Sequence, residues 1–278
     1  MKIANLMTSA GRRAGIYEGG KVYLIPGNIA ACVQEIIEGG EDLLKKISLL
    51  DKKNLEEVRT PVFLPAVEKG RKLIMIGFNY RAHADEFGEE TPEYPVVFAK
   101  FSNALSAHGE KIIPPEGDEK IDFEAELVAI IGKRCKKVTK DESLGYVFGY
   151  TCGNDITARG MQARNPQWTA GKTPDGFAPC GPFVATSDSV SPENLKISCR
   201  VNGKTVQSAT TADMIFSVRD IVSYLSGFMT LEPGDAIFTG TPSGVMVGRP
   251  VREQVWLRPG DLTEVEIEGI GTLKNIIA

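Results

Sequence analysis

A chain of 278 residues is long enough to bury a sizeable core, and one large domain with a small appendage is the arrangement to expect. Its 42% hydrophobic and 24% charged residues are ordinary for a soluble globular protein, and a net charge of −4 offers no basic field for nucleic acid or an anionic membrane. No apolar run approaches the roughly 18 residues of a membrane span, and the first residues lack the apolar stretch of a secretory signal. Five cysteines, an odd number with no Cys-x-x-Cys pair, read as buried free thiols in a reducing cytoplasm. With only His83 and His108 present, a His-rich zinc site is nearly excluded.

Residues 1–68 read as a separate small α/β unit. Lys2–Leu6, Arg13–Tyr17 and Lys21–Ile25 suggest short antiparallel strands, the last two joined at Glu18-Gly19-Gly20. From Asn28 to Leu50 the spacing is helical, with Ile29, Val33, Ile36 and Ile37 on one face, Gly39-Gly40 interrupting, and Leu43, Leu44, Ile47 and Leu49 continuing a second helix. No chemically active side chains stand at a telling spacing here, so the unit is expected to be a lid, a brace or an oligomer contact.

The character changes at residues 69–278. Lys72–Gly77 is a short apolar strand, followed at once by Phe78–Glu86. His83 and Glu86, three apart, share one face of a helical turn, where the carboxylate fixes the imidazole tautomer and raises its basicity for work as a general base. The plainer alternative is an exposed helix start with a casual ion pair. Residues 87–95 are rich in turn formers and read as a mobile loop and a lid beside that base. Pro95–Lys100 is another strand, and its lysine either holds an anionic substrate group or reaches to solvent.

Lys120–Gly132 reads as one strand with acids at 122, 124 and 126, which alternation puts on the same side. Such a row gains nothing unless a cation faces it. Asp155 follows in Asn154-Asp155-Ile156-Thr157-Ala158-Arg159, and with Glu124 and Glu126 it makes the oxygen-only set that Mg²⁺, Mn²⁺ or Ca²⁺ prefers. The alternative is a solvated edge strand, with Asp155 capping the next helix. That helix puts Arg159 and Gln162 three apart. Lys172 heads the Gly- and Pro-rich run 173–182, which reads as a shaped loop, and it is a candidate to stabilise an oxyanion. Cys180 is a conceivable nucleophile without a spare histidine to pair with it. Asn202-Gly203 signals a type I′ hairpin, and Ser217–Leu225 has helical spacing.

Taken in order, Gly77-Phe78-Asn79-Tyr80…His83…Glu86, Asp122-Phe123-Glu124-Ala125-Glu126-Leu127, Asn154-Asp155-Ile156-Thr157-Ala158-Arg159…Gln162, Gly171-Lys172…Asp175…Gly181-Pro182, Leu231-Glu232-Pro233-Gly234-Asp235, Thr239-Gly240-Thr241-Pro242-Ser243-Gly244 and Pro259-Gly260-Asp261 resemble the fumarylacetoacetate hydrolase family over roughly residues 70–278. The resemblance implies an α+β, mostly β fold: a mixed β-sandwich roll behind a small N-terminal domain, usually as a homodimer. It implies Mg²⁺ or Mn²⁺ (Ca²⁺ also serves) on Glu124, Glu126 and Asp155, with Asp122 behind the ligands and no organic cofactor. The expected substrate is a small 2-oxo acid, and nucleic acid and membrane are not expected partners.

The expected reaction is hydrolysis of the C–C bond of 2,4-dioxo acids, acylpyruvates such as fumarylpyruvate or acetylpyruvate, to pyruvate and a carboxylic acid. His83, oriented by Glu86, would activate water, and Lys172, with Gln162, would steady the oxyanion. Thr241, Tyr80 and Lys100 would bind substrate, and Arg159 would support the ligand aspartate or the loop. Decarboxylation of oxaloacetate-like acids and isomerisation of unsaturated 2-oxo diacids remain open, because fold does not fix reaction. A non-catalytic metal-binding subunit is disfavoured by the retained ligands, dyad and lysine. Gly160, where relatives often have an acid, and Thr173-Pro174 depart from the family pattern.

Overall fold

The computed structural model describes residues 1–88 and 90–278. Of the loop expected over 87–95, Glu89 lies outside the described residues. The N-terminal hairpins form as the alternation requires: β1 (Lys2–Thr8) pairs with β2 (Gly11–Glu18), and β2 with β3 (Lys21–Leu24). Helix α1 (Val33–Ser48) buries Val33, Ile36, Ile37 and Ile47. At the glycine pair it kinks, with Gly40 in the left-handed region at φ 58°. Two short strands, β4 (Glu57–Val58) and β5 (Val62–Phe63), add to β3 and β1.

The next elements are β6 (Leu73–Gly77), α2 (Arg81–Glu86), β7 (Val96–Lys100), β8 (Leu105–Ser106) and β9 (Lys111–Ile112). The acidic stretch, expected as one strand, is two. β10 (Ile121–Asp122) and β11 (Ala125–Ile131) are parted at Phe123-Glu124, because they serve different partners. β12 (Val147–Asn154) pairs with β11, whereas β13 (Thr157–Ala158) pairs with β10. Short helices α3 (Arg159–Gln162) and α4 (Thr169–Lys172) follow.

The run 173–182 is a loop only in its first half, since β14 (Ala178–Thr186) begins inside it. Its prolines sit where a strand tolerates them: Pro182 adjoins a register shift against β12, and Pro179 lies in a two-residue parallel pairing with β8. The remaining elements are β15 (Lys196–Val201), β16 (Lys204–Thr210), α5 (Val218–Phe228), β17 (Ala236–Phe238), β18 (Leu262–Ile267) and β19 (Gly271–Ile277). Asn202 and Gly203 both have positive φ, 51° and 78°, as the expected hairpin turn demands.

A 12-stranded sheet runs β4-β3-β2-β1-β14-β12-β11-β17-β6-β7, with β5 on β1 and β8 on β14. A 5-stranded sheet, β16-β15-β18-β19-β9, packs across its β11, β12 and β14. β1 hydrogen-bonds to β14, so the N-terminal strands extend the large sheet, and α1 shares a core with Val128, Ile130 and Phe238. β11 is buried on both faces. Leu127, Ala129 and Ile131 enter the core between the sheets, while Val128 and Ile130 enter the core under α1. That two-sided burial explains a continuous apolar run after the acids. Among the described residues, no helix is long and apolar enough to cross a membrane.

Candidate metal centre and active site

Glu124, Glu126 and Asp155 are buried, and each offers an oxygen within 4.8 Å of the others. Their backbone is clamped. Glu124 N–H donates to Asn154 Oδ1 at 2.9 Å, and Asp155 N–H donates to the Glu124 carbonyl at 2.9 Å. All three acids are at most 6% exposed, so they do not lie on a solvated edge. Nor does Asp155 cap a helix, because α3 starts from Ala158 without a side-chain cap.

Asp122, expected on the same side as the other acids, is not part of the converging group. The break at Phe123-Glu124 takes it out of the alternation. Its Oδ1 accepts the N–H groups of Met246 and Phe123 at 2.9 and 3.0 Å, and its Oδ2 accepts from Val247 N–H at 3.1 Å and Arg159 Nε at 2.9 Å. Arg159 joins it to Glu124.

Three cations answer the acids. Arg159 Nη2 donates to Glu124 Oε1 at 2.6 Å. Lys172 Nζ bridges Glu124 Oε2 and Asp155 Oδ2 at 2.7 and 2.6 Å. Lys100 Nζ stands 2.5 Å from Asp155 Oδ1 and donates to the carbonyls of Ile156 and Phe177. Burial brings the Lys100 ammonium down to about 8, against the pull of Asp155. Burial would raise Glu124, yet Lys172 and Arg159 beside it hold it well below the usual carboxylate range. Among the described residues Glu126 has no cation at hydrogen-bond distance. Its Oε2 accepts Gly240 N–H at 2.8 Å, and burial, then Asp155 and Glu124, push it well above the ordinary glutamate value.

With all of them ionised, Asp122, Glu124, Glu126 and Asp155 would exceed Lys100, Arg159 and Lys172 by one charge, and among the described residues the acid without an ion pair is Glu126. A carboxylate-only donor set with an uncompensated buried acid fits a hard divalent cation.

The acid–base pair lies at the end of β6, where Phe78 takes a left-handed φ of 50° before the chain turns into α2. His83 Nδ1 lies 3.1 Å from Glu86 Oε2, and Glu86 Oε1 accepts Gly244 N–H at 2.8 Å. Phe78 and Phe87 flank the imidazole, with ring centroids 5.8 and 5.1 Å away. His83 of the dyad and Glu124 and Glu126 of the acidic centre open on one cavity of about 380 Å³, with Asp155 behind its wall. His83, Glu124, Glu126, Arg159, Gln162, Lys172 and Thr241 give it polar walls, and Phe78, Phe87, Phe98 and Trp168 an aromatic side.

The structure brings most of the sequence-derived residues together. Gln162 lies on the wall and accepts from Arg159 Nη1 at 3.0 Å. Arg159, expected to support the ligand aspartate or the loop, donates to Glu124 and Asp122 and faces the cavity. Glu86 reaches the site through His83. Lys100, expected at the substrate, is placed on Asp155, 2% exposed and off the cavity wall. Tyr80, also expected at the substrate, is 1% exposed at the start of α2, with its hydroxyl unpartnered among the described residues. It lines a separate groove. Cys180 is fully buried in β14, and burial pushes its thiol far up, so it has neither access nor thiolate character.

The backbone of 240–247 is what sequence reading missed. Its N–H groups at Gly240, Gly244, Met246 and Val247 hold Glu126, Glu86 and Asp122 in place. Backbone donors leave no side-chain signal.

Gly160 also has a physical account. A Cβ there would meet both Asp118 oxygens at 2.8 Å, and Asp118 accepts from the N–H groups of Lys120, Gly160 and Met161. An acid thus reaches the start of α3 from across the fold instead of from position 160. Gly160→Ala is expected to displace Asp118 and to cost about 1–3 kcal/mol in urea denaturation.

Comparison with known proteins agrees with this architecture. The family model described as fumarylacetoacetate (FAA) hydrolase C-terminal matches residues 72–278. A fumarylacetoacetate hydrolase domain-containing protein 2 homolog of Dictyostelium discoideum is 45% identical over 221 residues, 75% of this chain and 72% of that protein. The mitochondrial oxaloacetate tautomerase Fahd2a of Rattus norvegicus is 41% identical over 215 residues, covering 77% and 68% of the two chains. The solved fumarylacetoacetate hydrolase of the psychrophile Exiguobacterium antarcticum superposes with a TM-score of 0.90 at 32% identity, covering 100% of this chain and 99% of its own. With the match spanning the whole region that carries the centre, the dyad and the cavity, the chain belongs to the fumarylacetoacetate hydrolase family.

Proposed function

We propose that this protein is a divalent-metal-dependent enzyme of small 2-oxo acids that moves a proton at the carbon beside the 2-oxo group, with keto–enol tautomerisation of oxaloacetate as its first reaction. The observation that carries this reading is the position of His83. It is the one imidazole on the cavity wall among the described residues, oriented by Glu86 and opening on the same space as the carboxylate centre. A relative 41% identical is named an oxaloacetate tautomerase, which supports the choice of substrate.

Glu124, Glu126 and Asp155 would hold Mg²⁺ or Mn²⁺, with Ca²⁺ as a third candidate. That cation supplies Lewis-acid charge for the carboxylate and 2-oxo oxygens of a bound acid. The chain's own groups do the rest. Glu86 holds the proton on His83 Nδ1, which leaves Nε2 free to accept a proton from substrate carbon and return it to oxygen. Lys172 fixes Glu124 and Asp155 and lends positive charge to the oxygen that turns negative. The aromatic side of the cavity limits water.

Hydrolysis of acylpyruvates is the second reading. It uses the same dyad on a water molecule, and a fold likeness with a TM-score of 0.90 to a protein named a fumarylacetoacetate hydrolase favours it. The five buried free thiols suit a reducing compartment, the cytoplasm by preference, and a second copy of the chain is the partner to expect.

The test is to follow enol absorbance of oxaloacetate with Mg²⁺ and protein, and to assay acetylpyruvate and fumarylpyruvate for pyruvate release. Faster enol decay without carbon dioxide, lost in Glu124→Ala and His83→Ala, is the expected result. Pyruvate plus the matching acid would move the assignment to the hydrolase. Carbon dioxide from oxaloacetate in both wild type and His83→Ala would replace proton shuttling with decarboxylation.

A further inference from the structure

Gln207, on β16, is 2% exposed and comes from the opposite sheet, yet its amide sits between the two halves of the site. Its Oε1 accepts the N–H of Ala125, the residue between Glu124 and Glu126, at 2.9 Å. Its Nε2 donates to the Pro242 carbonyl at 2.8 Å and to Thr241 Oγ1 at 2.8 Å. A backbone N–H only donates and a carbonyl only accepts, so the first two contacts fix which end of the amide is which. The Thr241 hydroxyl must then be the acceptor in the third, because an amide nitrogen has no lone pair to offer. Its own proton has no acceptor among the described residues, and Thr241 stands on the cavity wall.

The loop has little freedom to escape this arrangement. Arg249 Nη2 donates to the carbonyls of Gly244 and Val206 at 3.0 and 3.4 Å, tying the segment a second time to β16. A Cβ on Gly244 would lie 2.2 Å from the Val206 oxygen, so the two backbones are already in contact.

We propose that Gln207 is a positioning residue that points the Thr241 hydroxyl proton into the cavity, making Thr241 a dedicated donor to an anionic oxygen of the substrate. This rests on the reading of the cavity as a site for 2-oxo acids. A donor locked in direction discriminates by charge. It favours a carboxylate or enolate oxygen at that position over an amide N–H or a hydroxyl that needs an acceptor.

Gln207→Glu is the decisive variant. It keeps the shape and the acceptor for Ala125, but it offers no N–H to the Pro242 carbonyl or to Thr241, whose hydroxyl then turns to donate to the new carboxyl. With oxalate as probe and Mg²⁺ present, calorimetry is expected to show binding about tenfold to a hundredfold weaker for Gln207→Glu and for Thr241→Val. The double variant should bind no worse than Gln207→Glu. In turnover the loss should fall on KM more than on kcat, which a purely structural residue would not produce. Melting temperatures of the four proteins without ligand test the contact by itself, and Thr241→Val should cost less in the Gln207→Glu background.

Independent, multiplicative losses would overturn the proposal, as would Gln207→Glu binding oxalate like wild type while Thr241→Val does not. Wild type that fails to bind oxalate would instead remove the 2-oxo acid reading. The melting cycle then decides the Gln207–Thr241 contact, and additive melting shifts would end it.

Discussion

His83→Ala, assayed with Mg²⁺ present, is expected to lower turnover by about 10²–10⁴-fold while leaving oxalate binding largely intact. Among the described residues the ring touches none of the carboxylates of the centre at hydrogen-bond distance, and its one such partner is Glu86, at 3.1 Å. Removing it therefore breaks no hydrogen bond of the carboxylate centre, and takes away the proton carrier together with its lesser electrostatic influence on Glu124. The space left behind is bounded by Phe78, near-parallel to the ring, and by Phe87, edge-on to it. Free imidazole in the buffer should therefore fit it and restore part of the rate. Rescue separates loss of a proton carrier from loss of structure, because an added small molecule repairs the first and not the second. Glu86→Gln should do less damage, since an amide still accepts Gly244 N–H but no longer holds the imidazole proton with a charge. Undiminished turnover in His83→Ala would sink the proton-transfer reading.

Much of the site was legible because acids and bases at odd places are expensive to bury. Three carboxylates at the start of an apolar strand had to face something, and two of them, Glu124 and Glu126, do converge, with Asp155 from just past the end of the next strand. The His83–Glu86 spacing survives as a contact because it lies within a single turn of α2. Asp122 failed the same logic, because alternation holds only while a strand keeps one partner, and β10 and β11 do not.

Lys100 illustrates a different gap. A lysine at a strand end reads the same whether it meets substrate or neutralises a buried aspartate sitting 55 positions away in sequence, and only the fold separates the two. Gln207 and the N–H groups of 240–247 were out of reach for a third reason. Their contribution is direction, given by backbone geometry and by a sheet crossing that local pattern does not encode. In the N-terminal segment the hairpins and the kinked helix were readable from period and glycine. The β1–β14 pairing that welds it to the rest joins residues far apart in sequence and was not.

Glu126→Gln is expected to make the metal-free protein more stable at pH 8 and to abolish most of its stabilisation by Mg²⁺. The sign follows from the direction of the Glu126 shift. Its carboxyl, desolvated and facing Asp155 and Glu124, holds its proton in the folded protein to higher pH than in the unfolded chain. Above the ordinary glutamate value the unfolded state ionises first. Stability therefore falls as pH rises, by about 1.4 kcal/mol per pH unit, until the folded group also ionises. Glu124 works on the other side: held low by Lys172 and Arg159, it contributes stability above the ordinary range that is lost on acidification.

Both slopes are present in wild type, and Glu126→Gln removes only the first while keeping an oxygen for Gly240 N–H. The difference between the two proteins across pH thus isolates Glu126. Near pH 5 their melting temperatures should converge, and at pH 8 the variant should melt higher, by about 2–4 °C for each kcal/mol relieved. Adding Mg²⁺ reverses the ranking. At about 100 times its Kd a ligand of the folded state adds about 2.7 kcal/mol, and wild type should gain this while the variant, short of the one acid without its own cation, gains far less. A variant that melts below wild type at pH 8, with Mg²⁺ raising both equally, would mean that Glu126 already has its counter-charge and that the cation belongs elsewhere.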